Sequence, residues 1–158
     1  MPIRRTQLWK VPVFCIAAGI ISFYLTVYTI ATFGVVPLHN GHLTSNETLS
    51  TAVMVFTFLA SFVLGWLLLR TMTKREIFWS ATILVAAQLI MQTAQLATSG
   101  VDLSLSNRIG ICLTYATEWC RLISVALHRF IDNLWVCAFL ICFAPYVFIL
   151  FGRKENAA

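Results

Sequence analysis

Hydrophobic and polar positions alternate along this chain on the scale of whole helices. Four stretches, at about 11–33, 51–69, 77–98 and 134–151, are largely apolar and contain no Lys, Arg, Asp or Glu. A helix rises 1.5 Å per residue, so about 20 such residues cross a hydrocarbon core roughly 30 Å thick. Backbone groups in lipid must be satisfied within their own segment, so each stretch is predicted to be a helix. Trp9, Trp66, Trp79 and Trp135 lie near the ends of these runs, where indole rings settle at a membrane interface.

A fifth segment has a different pattern. Across 107–129 the polar residues Asn107, Thr114, Thr117, Glu118, Arg121, Ser124 and His128 recur mainly three or four apart. That spacing places them on one stripe of a helix. The opposite face carries Ile109, Cys112, Leu113, Trp119, Leu122, Ile123 and Ala126. Each charge at the centre of a spanning helix costs about 2.5–3.5 kcal/mol on an insertion scale. The segment is therefore read as an amphipathic, membrane-associated helix, with a fifth span as the alternative. Glu118 and Arg121, three residues apart, are expected to pair.

The third apolar stretch has a stripe of its own. Gln88, Gln92 and Gln95 recur at spacings of four and three. Amides inside a span need partners, and interhelical hydrogen bonds are worth about 0.6–2 kcal/mol. The stripe with Thr114, Glu118, Arg121 and His128 is the expected partner, forming a polar seam with the three glutamines. Tyr24 and Tyr28 are expected to add hydroxyls to it. Ala18, Ser22 and Thr26 in the first stretch, and Thr57, Ser61 and Gly65 in the second, have the small-residue spacing of closely packed membrane helices.

The connectors set an orientation. The segment at 37–50 has no Lys or Arg, whereas 70–76 carries Arg70, Lys74 and Arg75. Basic residues accumulate in short cytoplasmic loops, so the N-terminus is expected in the cytoplasm. With four spans, eight basic residues lie inside, and Arg108, Arg121 and Arg129 lie outside. A plasma membrane is the expected location. The first stretch is too long for the apolar core of a signal peptide and is read as an uncleaved span. Ser104 or Ser106 is expected to cap the helix that follows the third span. Pro145 is expected to kink the last.

Composition reinforces this reading. Apolar residues make up 59% of the 158 residues and charged residues 11%, so a soluble chain of this size would leave a large apolar patch in water. The fold class is accordingly all-α: one polytopic helical membrane domain over 1–158. The net charge of +5 gathers at the ends of apolar runs, which points to lipid head groups and not to nucleic acid.

Chemistry-bearing motifs are sparse. The five cysteines form no Cys-x-x-Cys pair and read as packing residues. His39 and His42, with Glu47 as the near acid, make a poor metal site. No phosphate loop, catalytic triad or cofactor motif is present in the sequence. The sequence thus points to a non-enzymatic subunit or accessory factor in the lipid bilayer, with a membrane-protein partner or a second copy. The alternative is a small transporter or channel that uses the polar seam.

Overall fold

A computed structural model describes residues 7–37 and 43–153; His39 and His42 lie outside them. Helix α1 (Lys10–Phe33) leads into a two-stranded antiparallel ribbon, β1 (Val35–Pro37) and β2 (Leu43–Ser45). Helices α2 (Glu47–Leu69), α3 (Lys74–Thr98) and α4 (Leu103–Thr117) follow. A 3₁₀ turn (Glu118–Cys120) precedes α5 (Arg121–His128), and α6 (Leu134–Ile141) precedes a 3₁₀ segment (Ala144–Phe151). Among the described residues the regular structure is helical apart from the ribbon. Four helices, Lys10–Phe33, Glu47–Leu69, Lys74–Thr98 and Leu134–Phe151, are long and apolar enough to cross a membrane.

Short polar side chains fix where these helices begin. The Asn46 side chain accepts from the Leu49 amide. Thr73 and Glu76 form a reciprocal capping box at the start of α3. The cap of α4 is Asp102, which accepts from the Leu105 amide at 3.0 Å, and not Ser104 or Ser106. Asn133 accepts from the amides of Trp135 and Val136 and starts α6. Pro145 lies in the first turn of the 3₁₀ segment, where its missing N–H costs least, and the last apolar stretch changes helix type there.

One end of the bundle is tied together by backbone bonds. The Arg153 amide donates to the Met72 carbonyl at 3.0 Å, and the Lys74 amide donates to the Arg153 carbonyl at 3.2 Å. Ser80 Oγ donates to the Leu8 carbonyl at 2.6 Å and accepts from the Val11 amide at 3.2 Å. The start of α1, the α2–α3 turn and the end of the 3₁₀ segment therefore meet. Lys10, Arg70, Lys74, Arg75 and Arg153 all lie at this end, with Glu76 as the acid. The opposite end carries Arg108 and Arg129 beside Glu47, Asp102 and Asp132.

The basic half of the bundle is filled with apolar side chains. Val11, Cys15, Leu69, Met72, Ile77, Ala81, Trp119 and Phe148 form one buried cluster. The Trp119 and Phe148 rings lie 5.0 Å apart, and Phe14 meets Phe148 edge-on at 5.4 Å. The small polar residues Ser22 and Thr26 of α1, and Thr57 and Ser61 of α2, are buried. Gly65 lies against the Phe148 ring.

The tightest approach is between α1 and α4. A Cβ at Gly19 would fall 1.8 Å from the backbone oxygen of Tyr115, and a backbone atom cannot swing aside. Alanine is the better helix former by about 1 kcal/mol, yet overpacking a fixed contact costs about 1–3 kcal/mol. Gly19→Ala is therefore expected to destabilise the protein in detergent unfolding. Gly100→Ala, with no atom within 4 Å of the added carbon, is expected to change stability by less than about 0.5 kcal/mol. Equal stability of the two variants would contradict this packing.

Candidate functional site

Helices α4 and α5 do not form one continuous rod. Thr117 (φ −118°, ψ −10°) and Cys120 (φ −111°, ψ 20°) depart from helical geometry on either side of the 3₁₀ turn. Asn107, Gly110 and Thr114 on α4 line the same cleft as Ser124 and His128 on α5. On a straight helix Asn107 and His128 would be about 31 Å apart. The chain instead bends at 118–120 and climbs back to the start of α6, so α4 and α5 form the two arms of a re-entrant hairpin. Arm α4 packs on α1 and α3, and arm α5 packs on α2 and α6. The continuous amphipathic helix expected over 107–129 is thus corrected to a bent one that enters the bundle. Its central residues Ala116, Trp119 and Cys120 are buried.

The bend is stabilised by side-chain donors. The Ala116 carbonyl receives Trp119 Nε1 at 3.1 Å and Gln88 Nε2 at 3.4 Å. Cys120 Sγ donates to the Thr117 carbonyl at 3.0 Å. Irregular backbone inside a packed bundle is tolerated where protein groups replace the missing hydrogen bonds. Gln88 has this structural part: it is fully buried, and its Oε1 has no partner among the described residues.

The bend opens a cleft of about 610 Å³ between the two arms, α3 and α6. Gln92 and Gln95 reach it from α3, and Asn107, Thr114 and Thr117 from α4. Ser124 and His128 complete its polar lining from α5. Leu134, Trp135, Ala138 and Ile141 of α6 form an apolar wall with Ile111 and Leu113. Gly110 lets the Gln95 amide lie flat on α4, since a Cβ there would stand 2.8 Å from Nε2. Gln92 is 5% exposed, and no hydrogen bond to its side chain is found among the described residues.

Several of these hydroxyls and ring nitrogens are already committed. Thr114 Oγ1 donates to the Gly110 carbonyl and Thr117 Oγ1 to the Leu113 carbonyl, each at 2.9 Å. His128 Nδ1 lies 2.8 Å from the Ser124 carbonyl, so Nδ1 carries the proton and donates. Lone pairs on Thr114 and Thr117 are left to accept.

The structure thus gathers Gln92, Gln95, Thr114 and His128 at one cleft. Gln88 lies deeper, on the bend. Glu118 and Arg121 stand outside the cleft: Arg121 Nη1 meets Glu118 Oε1 at 2.8 Å, with the Glu118 side chain 9% exposed and Arg121 45%. Tyr24 and Tyr28 do not line it either and are 60% and 69% exposed. The apolar wall from α6 has no signal in the sequence beyond Trp135, whose indole had the ordinary reading of an interface anchor. Among the described residues no group of three or more His, Cys, Asp or Glu is placed to hold a metal ion. Comparison with protein-family models, curated proteins and solved structures finds no match to this chain.

The pair at the bend gives an asymmetric expectation. Removing Arg121 leaves a buried carboxylate without its partner, which costs more than removing both charges. Arg121→Leu is expected to lower stability by about 1–3 kcal/mol. Adding Glu118→Gln to that variant should recover more than half of the loss in the same unfolding measurement. Additive losses would show that the two residues do not act as a pair.

Proposed function

We propose that this chain is a multi-pass integral membrane protein and a non-enzymatic component of a membrane assembly. Its basic end faces the cytoplasm, most simply at the plasma membrane. Four long apolar helices support insertion, and the gathering of five basic residues at one end supports the orientation.

The observation that carries the assembly reading is the Glu118–Arg121 pair. The turn that bears it lies partway along the helices, beside the buried Trp119 and Phe148. Yet the Arg121 side chain is 45% exposed, outside the cleft. A guanidinium at such depth is costly against lipid, even when paired, and intramembrane charges ordinarily face protein or a watery cavity. A second membrane protein, or a second copy of this chain, would cover it. Passage of a solute through a single copy has less support. Trp119, Phe148 and their apolar neighbours fill the bundle between the cleft and the basic end.

Purification of the tagged protein in gentle detergent, at its native level, is expected to recover one membrane protein in stoichiometric amount. The double variant Glu118→Gln/Arg121→Gln should insert normally but lose that partner by tenfold or more. In a cysteine-free background, Val101→Cys should react with an impermeant maleimide added to intact cells, and Arg70→Cys only after permeabilisation. A homogeneous particle containing one copy alone would remove the assembly reading. Reversed labelling would remove the orientation.

A further inference from the structure

The cleft presents a more specific chemistry than a polar seam between helices. No Lys, Arg, Asp or Glu lines it. Its one imidazole, His128, is exposed, and an ionised ligand would lose hydration against the apolar wall while meeting no carboxylate, guanidinium or ammonium there. The occupant that fits is therefore uncharged.

Hydrogen-bonding capacity narrows it further. Thr114 and Thr117 donate their hydroxyl protons to backbone carbonyls, so their oxygens are left only to accept. Those two oxygens call for O–H donors on the ligand, while the amides of Gln92, Gln95 and Asn107 can both donate and accept. Gln92 supplies both a donor and an acceptor. Its side chain is nine-tenths buried, aimed into the cleft and unpartnered by protein among the described residues. A buried amide in that state is satisfied by water or by a bound molecule.

The remaining walls take the apolar part. Trp135 offers an indole face, and Leu134, Ala138 and Ile141 continue the apolar surface. The volume of about 610 Å³ lies within the range of small-molecule sites, about 300–1,000 Å³. We infer that the cleft between α3, the re-entrant hairpin and α6 binds an uncharged polyhydroxyl group, a sugar or glycerol head, joined to an apolar portion. The inference rests on the membrane reading, because the cleft opens at the end of the bundle opposite the basic one. It does not depend on which protein covers Arg121.

The test uses the full chain in phosphatidylcholine nanodiscs with a photoreactive monoglucosyl diacylglycerol. Crosslinks should concentrate in 107–117 and 124–138. Excess unlabelled glucosyl lipid should abolish them, and excess phosphatidylglycerol should not. Gln92→Leu and, separately, Thr117→Val should each reduce crosslinking about tenfold. Two variants are used so that a folding defect in one does not decide the result. Competition by free glucose at equal concentration would support the same chemistry with an aqueous source. Competition by phosphatidylglycerol, crosslinks spread over α1 and α2, or unchanged crosslinking in both variants would overturn the site. Failure of the chain to remain in nanodiscs would overturn the membrane reading instead, so the two failures are distinct.

Discussion

The structure depends on a helix break inside an apolar bundle, and on the donors that make the break tolerable. Carbonyls freed from helical bonding inside a packed bundle need other donors. Here the Ala116 carbonyl is held by Trp119 Nε1 and Gln88 Nε2, one donor from the turn itself and one from the neighbouring α3. The Trp119 ring then packs on Phe148 and closes the basic half of the molecule. Hydrogen bonding and packing at the bend are thus joined through one side chain.

Two other features follow from the same bend. Because the chain folds back, polar residues from both arms face one another across a cleft, where on a rod they would form a long stripe. At the fold-back, Glu118 and Arg121 pair with each other and are not among the residues that line the cleft. The neutral cleft and the charged pair are therefore separate surfaces. Among the described residues the apolar cluster around Trp119 lies between the cleft and the basic end.

Much of the fold was legible because its signals are local. The four apolar stretches and the basic connector at 70–76 need only composition and length to be read. The small-residue spacing in α1 and α2 corresponds to buried Ser22, Thr26, Thr57 and Ser61. The bend was not legible. No proline or glycine marks 118–120, and a periodic polar pattern over 107–128 is what a straight amphipathic helix would also show. What breaks the helix is tertiary: Trp119 fits between α1 and the 3₁₀ segment, and Gln88 donates across from α3. The cleft's apolar wall was hidden for a related reason, since α6 is apolar all round and its sequence does not say which residues face protein. Tyr24 and Tyr28 share a helical face, as their spacing requires, but that face is exposed.

The fold-back itself is the claim on which the cleft, the position of the charged pair and the proposed ligand all rest. The most direct measurement is a spin-label distance between Asn107→Cys and His128→Cys in a cysteine-free background, with the protein in nanodiscs. A re-entrant hairpin predicts a dominant separation well below ~20 Å, against about 31 Å for 21 residues of continuous helix. A single narrow distribution near the longer value would show that residues 103–128 run straight, and the cleft described here would not exist.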